Sequence, residues 1–196
     1  MRQVSKLFAA GCVLGVLAMW TSVAALGGDK IKVGDKAPAF EGIDDQGKMW
    51  KSTDHVGKKV VVLYFYPADF TGGCTKQACG FRDDMQALTS KGVEVVGVSG
   101  DSVANHQLFK QVKNLNFTLL ADEKGTIAKA FGVPTKAGAV FKFKGADGQT
   151  HTLKRGVTAS RWTFVIDKQG KIALKETKVN AAEDAKAVAA AVESLK

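Results

Sequence analysis

Seven consecutive apolar or aromatic residues, Val60 to Tyr66, run without a polar interruption and stop at Pro67. A strand with one face in water would alternate, so this run has to be covered on both faces at the centre of a sheet. After it, Ala78, Phe81, Met85 and Leu88 recur at helical spacing, and Val93 to Ser99 reads as a second buried strand. The chain is thereby directed toward alternating strands and helices around one sheet.

The remaining elements fit that plan. Phe40 to Trp50 reads as a hairpin turning at Asp45 to Gly47. Ser102 opens a helix carrying Leu108, Phe109 and Val112, Phe117 to Ala121 is a short strand, and Thr126 to Phe131 a short helix. Thr163–Asp167 and Lys171–Thr177 form a hairpin through Lys168-Gln169-Gly170. Asn180 and Glu183 read as a capping pair for a last helix with Ala181, Ala185, Val188, Val192 and Leu195 on one face. The fold class expected is α/β, a sandwich with a mixed central sheet flanked by helices.

Val133 to Ser160 is long for a connection inside a compact domain. Phe141-Lys142-Phe143-Lys144 alternates strictly, Gly145 to Gly148 is a turn, and Thr150 to Leu153 can return as a partner strand. The segment reads as an inserted hairpin near 139–155. It is either a partner-docking or lid element or a tolerated surface insertion.

The first 26 of the 196 residues carry Arg2 and Lys6, no acidic residue, and an uncharged stretch from Leu7 to Leu26. This reads as an export signal with a small-residue cleavage site at Ser22-Val23-Ala24, leaving one domain over 31–196. An uncleaved membrane anchor is the alternative. Net charge is +9, or +7 once Arg2 and Lys6 are subtracted. Lys136, Lys142, Lys144, Lys154, Arg155 and Arg161 concentrate it around the insertion, where solvated loops are the simplest account and no nucleic-acid partner is expected.

Outside the leader there are two cysteines, Cys74 and Cys79, at the start of the first long helix. In the run Pro67-Ala68-Asp69-Phe70-Thr71-Gly72-Gly73-Cys74 the strand ends at a proline and the helix opens with a thiol in its first turn. Unpaired backbone N–H groups and the helix dipole favour an anion there. An exported chain permits a structural disulfide. Residues i and i+5 of a continuous helix, however, are roughly 8–9 Å apart, beyond the ~7 Å limit of a disulfide. A pair that must melt a helix to close is better suited to a redox switch than to a staple.

Thr71-Gly72-Gly73-Cys74 after Pro67 matches P-x-x-x-T-x-x-C, and Arg161 precedes Thr163-Phe164-Val165-Ile166-Asp167. On these motifs the chain resembles the peroxiredoxins, and the spacing from Cys74 to Cys79 and on to Asp83 resembles their Q-type, or bacterioferritin comigratory protein, class. The resemblance covers roughly Ile31 to Leu195. It implies a thioredoxin-like fold and reduction of hydrogen peroxide and organic hydroperoxides without metal or organic cofactor. Cys74 would be the peroxidatic cysteine, Cys79 the resolving one, Thr71 and Arg161 activating partners, and Pro67 a shield. A thioredoxin-like dithiol would reduce the intramolecular disulfide, and the class implies a monomer. Thr71 suits the N-cap with Cys74 at N3, its hydroxyl able to bond either the helix N–H or the peroxide oxygen. Gly72 stands where many relatives have Pro, and Gln77 where many have Glu.

Competing readings are an exported thiol-disulfide oxidoreductase of the same fold, which would normally show C-x-x-C, and a non-catalytic binding module using the basic hairpin. His55, His106 and His151 are scattered and supply no base or metal-site spacing.

Overall fold

The computed structural model describes residues 31–145 and 148–195. The leader read as an export signal and residues 146 and 147 of the expected turn lie outside them. Within the described residues no helix is long and apolar enough to cross a membrane.

Seven strands form the main sheet: β1 (Glu41–Asp44), β2 (Met49–Lys51), β3 (Val60–Phe65), β4 (Val93–Ser99), β5 (Thr118–Ala121), β10 (Trp162–Ile166) and β11 (Ile172–Glu176), in the order β11-β10-β3-β4-β5-β1-β2. β3, β4 and β5 are parallel neighbours, whereas β10 runs antiparallel to β3 and β1 antiparallel to β5. The sheet is mixed, as expected. Helices α1 (Gly72–Ser90) and α2 (Val103–Lys113) connect the parallel strands, α3 (Thr126–Ala130) follows β5, and α4 (Asp184–Glu193) closes the chain.

The alternation of side chains along a strand explains why β3 has no polar residue. Val62 and Tyr64 pack with Phe81, Met85 and Leu88 of α1 and Val188 and Val192 of α4. Val61, Leu63 and Phe65 face the opposite layer, with Phe40, Ile127, Phe131 and Phe164. Both faces are dry. Asp45, in the β1–β2 turn, accepts from Leu119 N at 2.9 Å and pairs with Lys110 at 2.8 Å, fastening the hairpin to β5 and α2.

The inserted hairpin is present as β7 (Val140–Lys144) paired with β8 (Thr150–Lys154). Its base is a second antiparallel pair that alternation did not reveal, β6 (Thr135–Ala137) with β9 (Val157–Ala159). Those strands are three residues each, too short for a periodic signal.

Two expectations are corrected. Ser102 does cap α2, accepting from Asn105 N at 3.3 Å, but Asn180 does not cap α4. Its side chain instead accepts from Ala182 N at 3.1 Å in a preceding turn, and the helix begins at Asp184, whose carboxylate points inward to Gln77 and Thr163. Leu195, expected on one face of the last helix, instead lies beyond the end of α4 and is exposed, as is Val112 in the last turn of α2.

Gly97 shows how tightly the central layer is filled. A Cβ added there would lie 2.7 Å from Leu119 Cδ2 and 2.8 Å from the Tyr64 ring, which is itself stacked on Tyr66 and Phe81. A ring held on both sides cannot retreat. Gly97→Ala is therefore expected to cost about 1–3 kcal/mol, read as a lower urea midpoint with an unchanged denaturant slope.

Candidate active site

The site forms where β3 ends. Pro67, partly exposed, breaks the strand, and Ala68 and Asp69 turn inward. Phe70 takes the left-handed conformation, φ +62°, which a bulky residue adopts only under constraint from its surroundings. Thr71 is the N-cap of α1, and its carbonyl accepts the first helical bond from Thr75 N at 2.8 Å. Cys74 is then the third residue of the helix.

The Thr71 hydroxyl does not make the helix-capping bond that its position suggests. It accepts from no helix N–H; it donates to the Ala68 carbonyl at 3.1 Å, bracing the loop rather than capping the helix. The side chain of the N-cap residue satisfies none of the first N–H groups of α1.

Cys74 is 1% exposed and Cys79 partly exposed, and both are free thiols in the unbroken α1. Arg161, just before β10, donates from Nη2 to Cys74 Sγ at 3.2 Å. The register of the sheet makes this meeting possible, because Trp162 pairs with Phe65 and the residue before it falls beside the loop that leaves β3. Gly73 clears the approach. A Cβ there would lie 3.3 Å from Arg161 Nη2.

Arg161 is held from behind by Gln77, Thr163 and Asp184, of which Asp184 belongs to no motif read in the sequence. Its Nη1 donates to Gln77 Oε1, Gln77 Nε2 donates to Asp184 Oδ2 at 2.7 Å, and Thr163 Oγ1 donates to the same oxygen at 2.8 Å. Gln77, Asp184 and Thr163 are buried. Burial pushes the Asp184 carboxyl up, while the Gln77 and Thr163 donors and the Arg161 charge oppose it. The amide at position 77 passes one hydrogen bond in each direction, accepting from the guanidinium and donating to the carboxylate. A carboxylate there would have no donor for Asp184.

A second buried group fixes the loop. Asp69 Oδ1 accepts from the Tyr66 hydroxyl at 2.8 Å, and Oδ2 faces His106 Nδ1 at 2.8 Å, with Asp69 and His106 fully buried. His106 Nε2 lies 3.2 Å from the Leu120 carbonyl, so both ring nitrogens face acceptors. Asp69 N donates to Asp101 Oδ2 at 3.0 Å. His106 had looked isolated because Asp69 lies 37 positions away in sequence. Near Cys79, Arg82 is anchored to Asp83 at 2.8 Å and to the Lys113 carbonyl at 2.7 Å; its pKa is raised chiefly by Asp83, with the Cys79 side chain contributing.

Residues 33–175 match the model of the AhpC/TSA family. The chain belongs to that family. Within it the likenesses run to the Bcp and Q types of peroxiredoxin. The Bacillus subtilis peroxiredoxin Bcp is 38% identical over 166 residues, covering 85% of this chain and 96% of its own. The chloroplastic peroxiredoxin Q of Suaeda salsa is 41% identical over 145 residues, 74% of this chain, which spans only 59% of that longer plant protein. The Xanthomonas campestris bacterioferritin comigratory protein, a structure concerned with alkyl peroxide reduction, superposes with a TM-score of 0.64 at 27% identity, covering 79% of this chain and 90% of its own. This peroxiredoxin therefore has the thioredoxin-like fold expected of it. Among its described residues no group of three or more His, Cys, Asp or Glu is gathered as a metal would require.

The buried imidazole sets a pH dependence. Burial alone disfavours its charge, but the Asp69 carboxylate outweighs burial and raises the His106 pKa. A group whose folded pKa exceeds its unfolded value of about 6.5 stabilises fully below that value and loses its contribution as pH rises through the folded one. Unfolding by urea between about pH 6 and about pH 9 should show a fall in stability that His106→Asn lacks. Equal slopes in the two proteins would show that the imidazole titrates alike in the folded and unfolded states and would overturn the raised pKa.

Proposed function

We propose that this peroxiredoxin is an exported, monomeric thiol peroxidase in which Cys74 is the peroxidatic and Cys79 the resolving cysteine. The observation that carries the assignment of roles is the 3.2 Å contact of Arg161 Nη2 with Cys74 Sγ at the first turn of α1. The Cys74 thiolate attacks one oxygen of ROOH; the O–O bond breaks, RO⁻ leaves and takes a proton, and the cysteine becomes a sulfenic acid. Negative charge moves from sulfur to the leaving oxygen during this step. The guanidinium and the free N–H groups at the helix start lie where both charges need donors. Thr71 holds the loop through Ala68, and Pro67 shields the site by ending β3 above it.

Cys79–SH then condenses with Cys74–SOH, forming the disulfide and releasing water. The two residues share one continuous helix, so its first turns have to unwind before the sulfurs meet. Because both thiols belong to one helix, no second chain is required for resolution. A thioredoxin-type dithiol restores the thiols by exchange. Organic hydroperoxides are included among the substrates on the likeness to the Xanthomonas campestris protein. Export to the periplasm, with cleavage after Ala24, is proposed from the leader sequence alone.

Rapid-mixing kinetics with peroxide and mass spectrometry test the assignment. Cys74→Ser should abolish peroxide consumption, and Cys79→Ser should complete one turnover and stop as the Cys74 sulfenic acid. Arg161→Met should slow the first step by about 10²–10³-fold, the loss seen when one transition-state donor is removed. Peroxide consumption by Cys74→Ser equal to that of the unaltered protein would refute the reading. The intact mass of protein recovered from the periplasm should lack the first 24 residues; retention of the leader in a membrane fraction would favour the anchor.

A further inference from the structure

The inserted hairpin reaches the start of α1 through a ring contact. Phe143 of β7 stacks on Phe70 with ring centroids 4.2 Å apart and planes 19° apart. Phe70 in turn meets Phe109 of α2 at 4.9 Å, and Phe143 meets His151 of β8 at 5.1 Å. Four rings thus run from α2 through the loop into the insertion. Phe70 is the residue with φ +62° immediately before the N-cap, a conformation that neighbouring contacts must maintain.

The base of the hairpin is tied to the adjacent residue independently. Asn105 Nδ2 lies 3.1 Å from both the Lys154 carbonyl at the end of β8 and Asp101 Oδ1. Asp101 Oδ2 accepts from Asp69 N, and Asp101 forms a β-bridge with Arg155. Asp69 and Phe70 are therefore both fastened, directly or through Asp101, to the insertion. Phe70 directly precedes the N-cap of α1, so unwinding of the first turns begins beside it.

We infer that Phe143 is a positioning residue for the second step: its stack on Phe70 holds the start of α1 folded and so slows the meeting of Cys79 with the Cys74 sulfenic acid. The inference rests on the peroxidase reading above and adds a control to it. Two fates compete for Cys74–SOH. Condensation with Cys79–SH gives the disulfide and water; reaction with a second ROOH transfers one oxygen, giving Cys74–SO₂H and ROH. Anything that delays unwinding diverts sulfenic acid to the second fate. The hairpin would thereby set the peroxide concentration at which the enzyme inactivates itself.

The test is Phe143→Ala in the full chain, with Phe143→Tyr as the conservative variant that keeps the stack and Lys142→Ala on the opposite face of β7 as control. Rapid mixing with one equivalent of peroxide resolves sulfenic acid formation from disulfide formation, and mass spectrometry after excess peroxide gives the sulfinic fraction. Phe143→Ala is expected to form the disulfide about 2- to 12-fold faster, the factor equivalent to one stacked aromatic pair. Its sulfinic fraction should fall, its rate of sulfenic acid formation should stay unchanged, and Phe143→Tyr and Lys142→Ala should behave as the unaltered protein. An unchanged partition in Phe143→Ala, or a slower first step in that variant, would overturn the inference while leaving the peroxidase reading intact. Failure of the unaltered protein to form any sulfenic acid would overturn both, and is distinguishable because it precedes the partition.

Discussion

The contact between Arg161 and Cys74 depends on the pairing of β10 with β3. Antiparallel register puts Trp162 opposite Phe65, and a slip by one residue would turn every side chain of β10 to the other face. Such a slip is opposed because Phe164 and Ile166 are packed in one layer and Val165 in the other. The Arg161 guanidinium is therefore placed by hydrophobic burial several residues away. Gln77, Asp184 and Thr163 refine its direction, but the sheet determines that it arrives at all.

On the peroxidase reading proposed above, the same site combines rigidity with a need to move. Cys74 is buried and held at the start of an intact helix, a geometry suited to attack and unsuited to forming a bond with Cys79. The loop that precedes the helix carries the competing demands. Asp69 is locked to His106, Tyr66 and Asp101 in a water-excluded pocket, where breaking one charged partner leaves the other stranded. Phe70, one residue later, is held by ring contacts that can separate without stranding a charge. Motion should therefore start at Phe70 and beyond rather than at Asp69.

Residue 77 shows how a single substitution can be accommodated. Glutamine accepts from Arg161 and donates to Asp184, so the carboxylate at 184 and the guanidinium at 161 are coupled through a neutral group. The carboxylate of this hydrogen-bonded chain is then Asp184, which lies on α4.

The sequence alone determined the buried β3, the helix that follows it, the redox-suited spacing of Cys74 and Cys79, and the family motif around Thr71 and Arg161. Each is local, carried by periodicity or by residues close together in the chain. It also located the inserted hairpin through the alternation of Phe141 to Lys144. Only the tertiary structure decided that Thr71 braces Ala68, that His106 belongs to Asp69, that Asp184 stands behind Arg161, and that Phe143 reaches Phe70. Apart from the Thr71 contact, those partners are dozens of residues apart or linked through Gln77, and their pairing follows from which strands neighbour one another. Short-range patterning cannot specify that, because the free energy that selects the sheet order is spread over both apolar layers rather than written in any one segment.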